Sequence, residues 1–337
     1  MKFKTTALLG AAALALMAGT ASAADLACLI TKNNTNPFFV KMKEGAEAAA
    51  VAAGLDFQAY AGEKDGDAAP QITAIENCVA AGAKGILITP SNDSVGPALK
   101  DARAAGILVI ALDTPLADPE AQDMTFATDN FEAGLRIGKW AAAKLGAEAA
   151  NAKIAMLDIN KDNISVDVAR DTGFLVGFGI EVPDLTVMGS ETDARVIGHE
   201  TSDANPEGGL RAMETLLAKD PDINVVYTIN EPAAEGAYQA LKNAGKEGQA
   251  IIVSVDGGCP GIASVKSGVI GATSQQYPLK MAALGIDAIA LYAKDGTKPV
   301  ASEGLSFFNT GVNLVTDQPV DGVESIDSTK GTELCWG

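Results

Sequence analysis

The sequence predicts an α/β protein of two Rossmann-like domains, each built on a parallel sheet flanked by helices. Short apolar runs alternate with longer Ala-, Glu- and Lys-rich segments of helical character along most of the chain. The apolar runs show little polar alternation, which is typical of parallel strands covered by helices on both faces. The alternation stops at a polar joint near Asn151 and then resumes, which indicates two successive α/β halves. A single eight-unit barrel is the alternative fold.

The first half begins with a strand, a polar turn and a helix, which together form the start of a βαβ unit. This strand is predicted at 26–30 and the helix at 38–53. Further strands are predicted at 55–59, 85–88, 108–112 and 124–128, and helices at 68–80, 95–105 and 131–145. In the second half, strands are predicted at 153–157, 185–189, 225–229, 251–255 and 270–274, and helices at 165–177, 206–218, 232–244 and 278–294.

Residues 1–23 have the features of a cleaved signal peptide and are expected to lie outside the fold. A basic start precedes an uncharged apolar run at 7–16, which is too short to span a bilayer, and the Ala-Ser-Ala cleavage motif follows at 21–23. Export to the periplasm is therefore expected. No later apolar run predicts a membrane anchor. The net charge of −18 at pH 7 argues against binding to nucleic acid.

The chain contains four cysteines, Cys28, Cys78, Cys259 and Cys335. In an exported protein they are expected to form disulfides, and four cysteines allow three pairings. None of them has the paired spacing of a zinc site and the chain has one histidine, so neither a metal nor a cofactor is predicted. Asp25 stands three residues before Cys28 and does not suit a lipoprotein signal, so a lipid-modified Cys28 is rejected.

The turn after the first strand combines an amide, a proline and two aromatic residues. Asn36 can both donate and accept hydrogen bonds, and Pro37 suits the first turn of a helix. Phe38 and Phe39 stand where a surface turn is normally polar. Because successive helical residues point about 100° apart, both rings are not expected to face the core, and at least one is predicted to contact a ligand. Parallel sheets bind ligands at this end of their strands.

Several other strands end at a single hydrogen-bonding residue. Asp113, Asn230 and Asp256 each follow a strand, and the strand that starts at 270 runs towards Gln276. Helix capping explains any one of these residues, but their recurrence in both halves predicts a shared cleft. Carboxylates in such a cleft suit polyols, because they accept hydrogen bonds from neighbouring hydroxyls. Arg170, early in the second half, could add a rigid fork of donors or instead pair with a surface carboxylate.

Taken in chain order, these motifs resemble those of bacterial periplasmic sugar-binding proteins of the ribose and fructose type, the soluble receptors of ABC importers. The resemblance covers essentially the whole mature chain. Each matching motif is short and weak by itself, but six of them occur in the same order along the chain as in that family, which makes the resemblance specific. The matching segments are Asn36 to Phe39, Asp113, Arg170 to Phe174, Asn230-Glu231, Asp256-Gly257 and Gln276-Tyr277-Pro278.

The resemblance implies the ligand, the domain boundaries and the partner. Two domains are expected, 24–128 with 277–309 and 129–276 with 310–337, with three crossings between them near 128–129, 277 and 309–311. A monomer that closes around one monosaccharide and delivers it to a membrane permease is expected. The residues implied to touch the sugar are Asn36, Phe38, Phe39, Asp113, Arg170, Asn230, Asp256 and Gln276.

Two departures from the ribose type favour a hexose. Thr114 stands where ribose-type members carry arginine, and Ala204 stands near the position where they carry an aromatic residue. The pocket is therefore expected to lose one donor fork and some bulk. Fructose is the favoured sugar, with ribose or another hexose as alternatives.

The predicted disulfides are Cys28–Cys78 and Cys259–Cys335. Cys28 lies on the first strand, and Cys78 lies on a helix that can pack beside it. Cys259 follows a strand of the second half, to which the C-terminal tail with Cys335 is expected to return. The second pair and the Leu-Cys-Trp-Gly ending look most like the fructose-binding subgroup.

Two other classes of function fit the sequence less well. A sugar-processing enzyme could use Asp113 and Asp256 as a carboxylate pair, but the chain has no Gly-x-Ser-x-Gly elbow and too few histidines for a triad. Residues 134–140 come nearest to a phosphate loop, yet they are one residue short and lack Ser or Thr. A sugar-responsive transcription regulator needs a DNA-binding module where the signal peptide stands. A binding protein is therefore predicted, with a chemotaxis-linked receptor as an alternative role.

Overall fold

The protein is built on two six-stranded sheets in the computed structural model, which describes residues 24–337. The predicted signal peptide lies outside the described residues. All neighbours in the first sheet are parallel, in the order β11-β5-β4-β3-β1-β2. Its strands are β1 (Leu26–Thr31), β2 (Asp56–Ala61), β3 (Gly85–Ile88), β4 (Leu108–Leu112), β5 (Met124–Ala127) and β11 (Phe308–Asn309).

The second sheet has the order β12-β10-β9-β8-β6-β7. It is parallel except at one edge, where β12 runs antiparallel to β10. Its strands are β6 (Ile154–Asp158), β7 (Val196–Thr201), β8 (Val225–Thr228), β9 (Ile251–Asp256), β10 (Ala272–Gln275) and β12 (Asn313–Val315). Two separate sheets confirm the predicted fold class and exclude a single barrel.

Helices cover both faces of each sheet. Neighbouring residues of β1 therefore face different cores, since side chains alternate along a strand. Leu29 packs with α1 and α9, and Ile30 packs with α2 and α3, where these helices are α1 (Pro37–Ala53), α2 (Ala69–Ala80), α3 (Gly96–Ala104) and α9 (Pro278–Asp295). The other helices are α4 (Asn130–Leu145), α5 (Ser165–Phe178), α6 (Pro206–Lys219), α7 (Glu231–Asn243), α8 (Cys259–Ser267) and α10 (Ser328–Leu334). Within residues 24–337, no helix has the length and apolar character needed to cross a membrane.

The strand predicted at 185–189 is wrong. These residues form bends and turns, and Leu185 is 49% exposed. The strand in this part of the chain is β7, which lies at the edge of its sheet and has only partly buried residues. It includes His199 and Glu200 and so lacks the continuous apolar run that identifies the central strands. The prediction followed the wrong apolar segment for this reason.

Helices α4 and α5 pack unusually closely against each other. Gly134 and Gly138 of α4 face the backbone of α5, and Gly173 and Gly177 of α5 face the backbone of α4. A Cβ atom at any of these four positions would overlap a backbone oxygen of the facing helix, at 2.0–2.3 Å. The glycines at 134–140, which come nearest to a phosphate loop in sequence, therefore serve helix packing.

Both predicted disulfides are present in the structure. Cys28 in β1 is bonded to Cys78 in α2, so the first sheet is tied to a covering helix. Cys259 at the start of α8 is bonded to Cys335, which ties the C-terminal tail to the second half of the chain. The tail then places Trp336 against Phe38 of α1.

Candidate functional site

The eight residues predicted to bind a ligand line one cavity between the two sheets. The first half of the chain contributes Asn36, Phe38, Phe39 and Asp113, and the second contributes Arg170, Asn230, Asp256 and Gln276. The empty volume of the cavity is about 390 Å³, including its opening to solvent. Its other lining residues are Lys32, Asp65, Ile159, Val166, Ala204 and Ile229.

The turn between β1 and α1 is held by two asparagines. The side-chain oxygen of Asn33 accepts hydrogen bonds from the N–H groups of Thr35 and Asn36, at 3.1 and 2.9 Å. Asn36 is the N-cap of α1, and its Oδ1 accepts from the N–H of Phe38 at 3.0 Å. Because Oδ1 serves the cap, the Nδ2 group is the part of Asn36 that remains to donate to a ligand.

Phe38 and Phe39 are both buried, and both line the cavity. The expectation that the two rings would not both face the core is wrong, because both pack in the hydrophobic core of the first half. The two rings meet edge-on with centroids 5.5 Å apart, and Phe38 meets Trp336 in the same way at 5.5 Å. The C-terminal tail thus covers the side of Phe38 that an isolated helix would expose. The two rings form an apolar wall that suits the C–H face of a sugar.

Asp113 follows β4 in the left-handed backbone region, with φ of 64°. Its carboxylate is buried, and Oδ2 accepts a hydrogen bond from Thr114 Oγ1 at 2.9 Å. Oδ1 has no hydrogen-bond partner, although Arg170 Nη2 lies 3.7 Å away. A buried acceptor without a partner is costly, so Asp113 is poised to accept a hydrogen bond from a ligand.

Arg170 of α5 reaches the cavity from the opposite side. Its Nε donates to Asn130 Oδ1 at 2.7 Å, Nη1 donates to the carbonyl oxygen of Ile229 at 3.1 Å, and Nη2 donates to Gln276 Oε1 at 3.3 Å. A guanidinium has five N–H donors, so these contacts hold the side chain rigidly and leave donors for a ligand.

Asp256 and Gln276 form a hydrogen-bonded pair at the ends of β9 and β10. Gln276 Nε2 donates to Asp256 Oδ1 at 2.8 Å, and Gln276 Oε1 accepts from Thr128 Oγ1 at 3.3 Å. Burial raises the pKa of Asp256 to about 6, and the positive charge of Arg170 opposes that rise. The pair therefore connects Thr128, in the segment after β5, to the side of the cavity that the second half of the chain supplies.

The side chains of Asn230 and Glu231 both form hydrogen bonds to backbone groups and so hold the neighbouring loops in place. Asn230 caps α7 by accepting from the N–H of Ala233 at 3.1 Å, and its Nδ2 donates to the carbonyl oxygen of Ala204 at 3.1 Å. The buried Glu231 accepts from the N–H groups of Gly257 and Gly258 at 2.8 and 2.9 Å. Burial, with the nearby charge of Asp256, raises the pKa of Glu231 to about 8. Glu231 therefore holds the loop that follows Asp256.

Lys32 is a lining residue that the sequence analysis missed. It directly follows β1 and is 2% exposed, and its Nζ lies 3.8 Å from Asp65 Oδ1. The sequence feature that could have identified Lys32 is the one that identified Asp113, namely a polar residue at the carboxyl end of a strand. Lysine is rarely buried, so this signal was easily overlooked.

The two departures from the ribose type lie in different places. Ala204 lines the cavity, so a larger side chain at this position would take up space in it. Thr114 lies outside the cavity and lines a neighbouring pocket with Asp162 and Ile164. Its contribution to the site is the hydrogen bond to Asp113, and the expected effect of Thr114 on cavity volume is wrong.

The sequence profile of the "Periplasmic binding protein domain" family matches residues 27–298. The chain belongs to this family. This periplasmic binding protein is 32% identical in sequence to the ribose import binding protein of Haemophilus influenzae. The alignment covers 84% of this chain and 91% of the relative. It is 27% identical to the D-allose-binding periplasmic protein of Escherichia coli, over 83% and 88%. Among solved structures, an ABC transporter solute-binding protein from Agrobacterium vitis with bound D-fucose superposes on this chain with a TM-score of 0.75 and 25% sequence identity. The superposition covers 92% of this chain and 100% of that one.

These relatives are binding proteins of transport systems. The chain is accordingly a binding protein and not an enzyme, as the sequence predicted. The resemblance to receptors of the ribose type is confirmed by the family match.

Proposed function

We propose that this periplasmic binding protein is the sugar receptor of an ABC importer and binds one monosaccharide in the cavity. The observation that carries the proposal is the pairing of Asp113 and Arg170 across the cavity. The buried Asp113 Oδ1 lacks a hydrogen-bond partner, and Arg170 keeps free donors beside it. A sugar hydroxyl both donates and accepts, so one polyol satisfies both groups. The ribose and allose specificities named for the relatives support a monosaccharide ligand.

The apolar wall gives the cavity a second feature of a sugar site. Phe38 and Phe39 supply buried aromatic surface, whereas Asp113, Arg170 and Asp256 supply charged hydrogen-bonding groups. A pyranose or furanose ring has both an apolar C–H face and a rim of hydroxyls. The cavity therefore matches a sugar better than a purely apolar or purely ionic ligand.

Fructose is the sugar we favour, and ribose and allose are the other candidates. Ala204 leaves room where the ribose type carries an aromatic residue, which favours a six-carbon ligand. The disulfide of Cys335 and the neighbouring Trp336 agree with the resemblance to the fructose-binding subgroup. The names of the curated relatives favour ribose or allose, so both belong among the sugars to be tested.

The domain boundaries that we propose are 24–128 with 277–309, and 129–276 with 310–337. The membership of β11 in the first sheet and β12 in the second supports a third crossing between 309 and 313. The three connecting segments lie together: Thr310 N–H donates to the carbonyl oxygen of Ala127 at 2.9 Å, and Thr128 contacts Gln276. Hinged closure about these segments traps the sugar, and a membrane permease then receives it from the monomeric receptor in the periplasm. A link to chemotaxis is an alternative use of the same receptor.

Calorimetric titration tests the proposal directly. Fructose, ribose, allose, mannose, galactose and xylose are each added to the purified protein and to an Asp113→Asn variant. We expect one sugar to bind with one site per chain and the variant to lose that affinity. Asp287→Asn is the matched control, because Asp287 lies exposed on α9. Binding of none of these sugars, or equal binding to the Asp113 variant, would overturn the proposal.

A further inference from the structure

The only histidine of the chain, His199, lies in a buried cluster of acidic side chains apart from the sugar cavity. Its Nδ1 is 2.9 Å from Asp158 Oδ2 and 3.4 Å from Asp171 Oδ2, and its Nε2 is 2.9 Å from Glu191 Oε1. Asp158 ends β6, Asp171 lies in α5 and His199 lies in the edge strand β7. None of these four side chains lines the sugar cavity. The cluster joins three elements of the second half at one point.

The spacing of three of these side chains matches that of metal ligands. The donor atoms of Asp158, Asp171 and His199 all lie within 4.8 Å of one another. Zinc binds nitrogen and oxygen at about 2.0–2.2 Å, so two ligands at angles of 90–110° stand roughly 3.0–3.5 Å apart. The distances from His199 Nδ1 to the two aspartates, 2.9 and 3.4 Å, are close to this range.

Asp171 supplies the second observation that points to a bound cation. Its side chain has no exposed surface, and neither of its carboxylate oxygens has a hydrogen-bond partner. Oδ1 of Asp158 is also buried without a partner. A buried carboxylate without hydrogen bonds is strongly unfavourable. A cation bound between Asp158 and Asp171 would compensate for this cost.

Glu191 completes the pattern on the other side of the imidazole. A histidine that binds metal through one ring nitrogen usually donates its other N–H to a carboxylate, which fixes the tautomer and the ring orientation. His199 Nε2 has such a partner in Glu191 Oε1, which leaves Nδ1 directed at the two aspartates. The ring is partly open to solvent, with its side chain 20% exposed, which provides a path for an ion.

We propose that Asp158, Asp171 and His199 bind one divalent transition-metal ion of the zinc class, with Glu191 orienting the histidine. One imidazole and two carboxylates suit zinc or a neighbouring transition metal better than calcium, which prefers a shell made of oxygens alone. The ion is structural, because it fastens the edge strand β7 to β6 and α5. Sequence reasoning did not predict this site, since one histidine and widely spaced cysteines argue against the familiar zinc motifs.

Metal titration of the purified, tag-free protein tests this site after treatment with EDTA and removal of the chelator. Zn²⁺ is titrated by calorimetry, with Ca²⁺ in a parallel experiment, and thermal unfolding is followed with and without Zn²⁺. We expect one Zn²⁺ per chain, a higher Tm with Zn²⁺ and much weaker binding of Ca²⁺. If Zn²⁺ binds with no defined stoichiometry and leaves Tm unchanged, His199 is only the counter-ion of the carboxylates and the proposal is overturned.

Variants locate the binding to these residues. Asp171→Asn and His199→Gln are expected to lose measurable Zn²⁺ binding and the rise in Tm. Glu191→Gln is expected to weaken binding about 10- to 100-fold, as is usual for a group that orients a metal ligand. Asp184→Asn, an exposed carboxylate in the neighbouring loop, is the control and should bind as the wild type does. Circular dichroism checks folding, and wild-type affinity in both ligand variants would contradict the assignment.

Discussion

A methyl group added to Gly134 of α4 would lie 2.0 Å from the carbonyl oxygen of Arg170 in α5. The relation is reciprocal, because a methyl group on Gly173 would lie 2.2 Å from the carbonyl oxygen of Phe131. Backbone therefore meets backbone where the helix that carries Arg170 crosses its neighbour. The position of the Arg170 guanidinium in the cavity depends on a contact that only glycine permits.

Gly134→Ala should lower both stability and sugar affinity. The new methyl group forces α5 away from α4, and overpacking of this kind costs about 1–3 kcal/mol. The displacement also moves Arg170 from its hydrogen bonds. Chemical denaturation and calorimetry with the bound sugar measure the two effects. Gly96→Ala is the control, since its nearest neighbour would be at 3.8 Å. Wild-type stability and affinity in Gly134→Ala would contradict the packing argument.

Asp113→Ala should abolish measurable sugar binding and leave the fold intact. The substitution removes the buried acceptor opposite Arg170, and loss of a charged hydrogen-bond partner costs roughly 2–5 kcal/mol. This corresponds to about a 30- to several-thousand-fold loss of affinity. Calorimetry measures the affinity, and thermal unfolding shows whether the variant is folded. An affinity within about threefold of the wild type would show that Asp113 does not contact the sugar.

Fructose should bind more tightly than ribose. A pentose leaves the space beside Ala204 to water and satisfies the polar groups less well, a penalty of roughly 1–3 kcal/mol. Ala204→Phe should fill this space and weaken fructose more than ribose. The protein is saturated with ribose and titrated with fructose, before and after the substitution. If ribose is the tighter ligand of the wild type, the choice of fructose is wrong and the receptor function is unaffected.

Loss of the Cys259–Cys335 disulfide should reduce stability and free the C-terminal tail. The bond spans 76 residues, and removing a native disulfide typically costs about 2–5 kcal/mol. Trp336 then loses its fixed position beside Phe38. Double replacement of both cysteines by serine, followed by denaturation and tryptophan fluorescence, measures both effects. Peptide mapping of the unreduced wild type checks the pairing, and any other pairing or a free thiol would refute it.

Glu231 should make stability fall as pH rises through the neutral range. Its pKa is about 8 in the folded protein against an ordinary value of 4.5, so the folded state binds a proton more tightly. This contribution is complete below about pH 4.5 and is lost as pH rises through 8. The groups that face Glu231 are Asp256, Thr273 and the N–H groups of Gly257 and Gly258.

Glu231→Gln removes this titration, so its stability relative to the wild type should increase from pH 5 to pH 8. The change is on the order of 1–4 kcal/mol, because one pKa unit corresponds to about 1.4 kcal/mol. Urea denaturation of both proteins at several pH values measures it. A difference in stability that stays constant with pH would mean that Glu231 does not titrate in this range.

The sequence by itself determined the α/β class, most of the strands and the residues at their carboxyl ends. Buried parallel strands are continuous apolar runs, so β3, β4 and β8 can be recognised without knowing their neighbours. The edge strand β7 was missed because its half-covered surface carries no such run. The eight predicted site residues line one cavity. Within each half, the residues that follow strands come together because parallel strands bring their carboxyl ends to the same edge of a sheet.

Only the tertiary structure decided which atoms of these residues are free. Thr114 donates to Asp113 Oδ2 and leaves Asp113 Oδ1 as the oxygen without a partner. The amide of Asn230, in contrast, is engaged by a helix cap and by the carbonyl oxygen of Ala204. The contact of His199 with Asp171 likewise depends on how β7 packs beside α5. Hydrophobic periodicity reports whether a position is buried, but it does not say which distant side chain lies opposite. Hydrogen bonds and metal coordination require distances that are correct to within a few tenths of an ångström, and the packing of the folded chain sets these distances.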